Sequence, residues 1–201
     1  MNKNVENIKN WLGSGAINIF GMPFSGKDTQ GKRLAYMLGA TFLSSGKILR
    51  DSQQVKDTID KGKLAPTKDF LQIVLPEFSN PKYSGQPLIL SSIGRWHGEE
   101  QSVIDALAKS HHPLKAVLYL TIPDSEIQAR FSALERSDRG NRADDSPAII
   151  EQRLSEFNEK TLPVIDFYKT AGLLIEINGN ALRDQVTEEI INKLLAFAER
   201  A

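Results

Sequence analysis

The chain has 201 residues, with 25 Lys and Arg set against 25 Asp and Glu, and no Cys. Balanced charge argues against a broadly basic surface for nucleic acid or an anionic membrane. A chain without Cys excludes disulfides and cysteine-ligated zinc and suits a reducing cytoplasm, while the length allows one domain with a substantial core and small insertions.

No apolar run approaches the roughly 20 residues of a membrane span. The polar stretch from Met1 to Ile8 has no signal-peptide pattern, and there is no internal repeat. Val5, Ile8 and Leu12 share a face and predict a short helix over 4–13, ended by Gly13-Ser14-Gly15. The apolar run Ala16-Ile17-Asn18-Ile19-Phe20 predicts a buried strand. After it comes Gly21-Met22-Pro23-Phe24-Ser25-Gly26-Lys27, and then a helical pattern to Leu38. Strand, Gly-xxxx-Gly-Lys loop and helix form a phosphate-binding P-loop. Glycines let successive backbone N–H groups wrap around phosphate oxygens, the helix offers its positive end, and Lys27 adds a full charge.

A short second strand is expected at Thr41-Phe42-Leu43, followed by a helix opened by Ser44 or Ser45, with Ile48, Leu49, Val55 and Ile59 on its apolar side. Gly62 to Thr67 breaks the pattern, and a second helix is expected over 67–78. These two helices read as a small lobe, 44–80, inserted over the site. Strands follow at 87–92, 114–121 and 173–177, separated by helices over 99–109, 124–135, 147–158, 161–170 and 182–199. Five strands alternating with helices predict a doubly wound, all-parallel α/β sheet, which binds ligands beyond its C-terminal strand ends. His97, His111 and His112 lack the spacing of a metal site and read as structural or surface residues.

The pattern Gly-x-Pro-x-x-Gly-Lys-x-Thr-Gln, from Gly21 to Gln30, resembles that of the adenylate kinase family, although Asp28 stands where that family usually has glycine. The likeness runs through nearly all the chain from residue 16. Ser44 to Arg50 is similar to the family's Ser-Thr-Gly-Asp-Met-Leu-Arg. Leu88 to Arg95 is similar to its Leu-Leu-Asp-Gly-Phe-Pro-Arg, with only strand and arginine kept. Arg142-Ala143-Asp144-Asp145, with Arg153 further on, follows its Arg-x-Asp-Asp spacing in a short lid, 136–146.

The resemblance implies a nucleoside monophosphate kinase in a single domain, moving the γ-phosphate of ATP to AMP. Alternatives are a kinase for GMP, CMP or UMP, and a nucleotide-binding regulatory protein without catalysis. It implies an ATP site of Gly21, Phe24, Ser25, Gly26, Lys27, Asp28, Thr29, Gln30, Arg136 and Ala181. The acceptor site would comprise Ser45, Arg50, Lys63, Leu64, Ala65, Ser92, Gly94, Arg95, Glu99, Arg142 and Arg153. Lys27, Arg95, Arg136, Arg142 and Arg153 would be catalytic, the last three resembling the family's lid arginines, with Arg130 a less secure addition to that lid set. Glu99 takes the place of the glutamine that reads adenine, with Gln101 near enough to substitute. Mg2+ would accompany ATP. Lys47 and Ser91 replace the two aspartates that hold its waters, leaving Asp28 either to reach the metal through water or to pair with Lys32 along the helix. A cytoplasmic monomer is the family expectation.

Overall fold

The computed structural model describes residues 3–135 and 146–200. A parallel sheet of five strands runs in the order β2-β3-β1-β4-β5. Its strands are β1 (Ala16–Gly21), β2 (Thr41–Ser44), β3 (Leu88–Ser91), β4 (Leu114–Thr121) and β5 (Leu174–Asn178). This is the doubly wound α/β sheet expected from the alternating pattern. The chain leaves β1 for one half of the sheet and crosses to the other half after β3, so the switch point lies beside β1, the usual place for a ligand crevice.

β1 is buried along its whole length, and its side chains alternate between two cores. Ile17 and Ile19 pack with α1 (Lys3–Leu12), α2 (Lys27–Leu38) and α10 (Arg183–Ala198) on one face. Ala16 and Phe20 point to the opposite face. There they meet the helices between β2 and β3, α6 (Glu100–Lys109) and α9 (Leu162–Thr170), which follows α8 (Pro147–Glu156). α7 (Asp124–Glu135) follows β4.

The inserted segment is more broken than its apolar spacing suggests. The first expected helix divides into α3 (Ser45–Asp51) and α4 (Lys56–Asp60), separated by a turn in which Gln53 has φ 61°. The second, α5 (Thr67–Ile73), gives way to a 3-10 turn over Leu75–Ser79, where Pro76 withholds a helical N–H. Leu49, Val55, Phe70, Val74 and Phe78 share one core with Leu88, Leu90 and Val103, so the insertion is packed onto the sheet. α8 and α9 are joined without a break by a π-helical turn, Phe157–Thr161.

Strand β1 carries one polar side chain into this apolar framework. Asn18 on β1 is fully buried, donates to the Ile93 carbonyl at 2.8 Å and accepts from the Ile93 N–H at 3.3 Å. The pair fixes the loop after β3, two residues before Arg95. Asn18→Ala strands both backbone groups of Ile93, at a cost of about 2–4 kcal/mol. A thermal melt is expected to show Tm lowered by roughly 4–15 °C; a fall below about 2 °C would mean that solvent or another group satisfies Ile93.

Candidate active site

The loop between β1 and α2 is held open by backbone geometry that its residues do not choose freely. Phe24 has φ 64° and Gly26 φ 86°, both in the left-handed region, and the Ser25 N–H between them donates to the Met22 carbonyl at 3.1 Å. At Gly21 a Cβ would lie 2.4 Å from the Ser25 hydroxyl oxygen, which makes glycine obligatory there. Arg130 on α7 pins the loop from outside. Its guanidinium donates to the Phe24 carbonyl at 3.0 Å, the Gly179 carbonyl at 2.9 Å and Glu126 at 2.7 Å. Sequence spacing suggested a lid arginine, whereas the described contacts make Arg130 the tie between the P-loop and the turn after β5.

A cleft of about 550 Å³ opens beside this tie, lined by Phe24, Ser25, Gly26, Thr29, Ala181 and Arg183 among others. Gln30 lines it too, but its amide is engaged inside the protein. It donates to the Arg183 carbonyl at 2.8 Å and accepts from the Thr187 hydroxyl at 2.8 Å, joining α2 to α10. Gln30 is therefore a packing residue of the cleft wall, a correction to the expected ligand role.

On the other side of the P-loop lies a polar pocket of about 140 Å³. Lys27, Arg50, Lys63, Arg95 and Arg153 all line it, together with Ser45 and Ser92. Lys27 is half-buried. The buried Nε of Arg95 has no hydrogen-bonding partner among the described residues. Burial, and then the like charge of Arg153, pulls the Arg95 guanidinium down to about 10, while Glu156 and Glu99 act the other way. It stays charged at neutral pH, so the pocket is a concentration of cations suited to a multiply charged anion. Ser45 donates to the Ser92 carbonyl at 2.7 Å, closing the pocket floor instead of capping α3.

Asp28 is the one carboxylate lining this pocket among the described residues. Its Oδ1 accepts a hydrogen bond from the Ser91 hydroxyl at 2.6 Å, where helical spacing had pointed to Lys32. Lys32 stands instead 5.9 Å from the centre of the Phe42 ring. Lys47 is turned away, bonded to Asp51 at 2.5 Å on the exposed side of α3, and so adds no charge to the pocket.

A narrower slot of about 60 Å³ adjoins the pocket, and Ser45, Gly46, Lys63, Ser92, Gly94 and Arg95 line part of it. Its far end is built from Leu64, Ala65, Phe70, Trp96 and Glu99. The Trp96 indole N–H donates to the Ala65 carbonyl at 2.9 Å, and Lys160 lies 4.2 Å over the ring. Glu99 is 1% exposed, and its Oε2 accepts from the Arg95 and Trp96 N–H groups at 3.0 and 3.1 Å. Burial holds the Glu99 carboxyl above its ordinary range, against the pull of those two N–H groups and the Thr67 hydroxyl, with Glu100 adding to the rise. Gln101, the expected substitute, faces outward and donates to Asp105 at 2.8 Å, so it does not reach the slot. Arg136 and Arg142 lie outside the described residues. The remaining expected site residues come together on the three cavities, which meet along the P-loop and Arg95.

A family model described as "Adenylate kinase" matches residues 19–173. The chain is 32% identical over 181 residues to the adenylate kinase of Stenotrophomonas maltophilia, covering 86% of this chain and 95% of that one. It is 30% identical over 182 residues to the adenylate kinase of Bacteroides thetaiotaomicron, with 87% and 95% covered. Against that of Phocaeicola vulgatus it is 29% identical over 183 residues, again with 87% and 95% covered.

Glu99 also makes a prediction about stability. Its folded pKa lies above its unfolded value, so the folded state holds this proton longer as pH rises. Stability is thus lost as pH climbs from the ordinary value, 4.5, through the raised folded value, and Glu99→Gln escapes the loss. Urea unfolding at a series of pH values should show the variant gaining on the parent across that window. A difference that is flat with pH would mean that Glu99 titrates alike in both states.

Proposed function

The chain belongs to the adenylate kinase family, and we propose that it transfers the terminal phosphoryl group of ATP to AMP, giving two molecules of ADP. The observation that carries this reading is the order of the three cavities. A donor cleft and an acceptor slot sit on either side of one cationic pocket, with the P-loop between them.

ATP would lie with its adenosine in the cleft by Ala181 and its phosphates against the N–H groups of the P-loop and Lys27. The acceptor monophosphate would be held by Arg95, Arg50 and Arg153, with Ser45, Ser92 and Gly94 beneath it and Lys63, Leu64, Ala65 and Glu99 toward the base. Phosphate monoesters are already largely ionised at neutral pH, so the attacking oxygen needs no general base. That oxygen bonds to the γ-phosphorus as the bond to the β–γ bridging oxygen breaks, and the second ADP departs with the electron pair. The obstacle is repulsion: two unit charges about 5 Å apart cost roughly 3 kcal/mol at an effective dielectric of about 20. The cations of the pocket offset this and hold the reacting groups in line. Arg136 and Arg142 join the proposal on their sequence spacing alone.

Mg2+ would share in neutralising and orienting the ATP phosphates. A lone carboxylate, with no second acid lining the pocket among the described residues, suits a cation that keeps its waters and is not chelated directly. Asp28, oriented by Ser91, would accept from those waters. The 44–80 segment is proposed to close over the acceptor and 136–146 to act as the lid. The enzyme is proposed to be a cytoplasmic monomer, on the family resemblance and a chain without Cys. No helix among the described residues is long and apolar enough to cross a membrane.

A coupled assay with ATP and AMP tests the reading directly, and absence of ADP formation would end it. Lys27→Ala should lower kcat by about 10²–10³-fold, the usual cost of losing one preorganised charge donor. Unchanged turnover would mean that Lys27 does not touch the transferring phosphates. Asp28→Asn keeps an acceptor for Ser91 but removes the charge. It should raise the magnesium concentration for half-maximal rate by about tenfold; an unaltered magnesium curve would leave Asp28 as a helix residue only.

A further inference from the structure

Besides the Arg95 Nε, the acceptor slot is lined by a residue with a second polar atom whose needs the described residues leave unmet. The Ala65 carbonyl is taken by the Trp96 indole, and the Leu64 N–H donates to Glu156 at 3.2 Å. The Ser45 hydroxyl is committed to the Ser92 carbonyl. Glu99 Oε2 receives two backbone N–H groups, which fix the plane of the carboxyl group. Its other oxygen, Oε1, is buried with no partner within hydrogen-bond distance among the described residues, the Thr67 hydroxyl acting on the carboxyl group from further off. A buried carboxylate oxygen without a donor keeps its full desolvation penalty, and a ligand hydrogen relieves it.

An ionised carboxylate only accepts hydrogen bonds, so the slot asks its ligand for N–H. Adenine offers an exocyclic amino hydrogen but presents its ring N1 as a lone pair, which a carboxylate repels. A 6-oxopurine carries a hydrogen on N1. We infer that the slot also takes 6-oxopurine nucleoside monophosphates, with the ring N1–H donating to Glu99 Oε1. The inference rests on the kinase reading above and widens its acceptor class: the same phosphoryl transfer would proceed on IMP and GMP, which share N1–H and differ at C2. Arg95 ties the two ends of such a ligand together. Its side chain lines the phosphate pocket, and its backbone N–H holds the carboxyl group that would read the base.

The test measures diphosphate formation from ATP with AMP, IMP and GMP in turn, for the full chain and for Glu99→Gln. A glutamine can still accept from the Arg95 and Trp96 N–H groups while placing an N–H donor in the slot. The expected result is turnover of both IMP and GMP by the parent. In the variant the ratio of kcat/KM for IMP to that for AMP should fall by about 10–100-fold, the scale of one hydrogen bond to a charged group. Turnover of AMP alone, or of GMP without IMP, overturns the N1–H assignment and leaves the kinase reading intact. An unchanged ratio in the variant overturns the role of Glu99. If no acceptor reacts, the kinase reading falls, and calorimetric titration of the parent with IMP and AMP then decides the base assignment. Tighter IMP binding that is lost in Glu99→Gln upholds it, and equal binding refutes it.

Discussion

Five cationic side chains lining one small pocket is the condition to which the rest of this structure answers. Left to themselves the cations would separate into solvent. Arg95 shows the strain most clearly, because burial and Arg153 both disfavour its charge. The scaffold holds it by its backbone. Its N–H is bound by Glu99, its carbonyl accepts from the Thr161 hydroxyl at 3.3 Å, and the loop before it is anchored by Asn18. Each anchor comes from a different element, so sheet, α6 and the π-helical turn must all be in place before the guanidinium is. A phosphate arriving there meets in Arg95 a charge already desolvated and oriented, which is where electrostatic preorganisation gains most.

The P-loop solves a related problem with backbone instead of side chains. Phe24 and Gly26 hold positive φ values and the Ser25 N–H closes the turn on the Met22 carbonyl, and such geometry persists only when its surroundings determine it. Gly21 allows Ser25 to approach, the Phe24 ring rests 5.9 Å from that of Phe131, and Arg130 clasps the loop to Gly179. Every one of these supports stands on the donor side. The acceptor side is supported separately through β3 and α6, so the two nucleotide sites are built by different parts of the sheet and meet only at its switch point.

Much of this was legible in the sequence, because the strongest signals are local. A glycine-rich turn between a strand and a helix is fixed by spacing, and β1, β4 and α7 lie close to where periodicity puts them. Side-chain partners across long sequence separations were not legible. Gln30 reaches Arg183 and Thr187, and Arg130 reaches Phe24 and Gly179. No pattern in one strand or helix encodes such pairings, since they depend on how elements stack. Asn18 did carry a signal: a lone amide in an otherwise apolar strand needs a buried partner. The break after Asp51 was hidden because Val55 and Ile59 continue the apolar face on both sides of the turn.

Asp28 shows how position in space can stand in for position in sequence. Read along the chain, Ser91 is the loss of an acid at the end of β3, and Asp28 is an extra acid at the start of α2, 63 residues away. In the fold they touch. The end of β3 lies beside β1, so the first turn of α2 projects its carboxylate to the tip of the neighbouring strand. The fold thus holds a carboxylate at this edge of the cationic pocket although the strand end itself carries none. Ser91 then takes the role of orienting hydroxyl. Among the described residues the pocket is then lined by one acid and five cations, a balance that still favours phosphate.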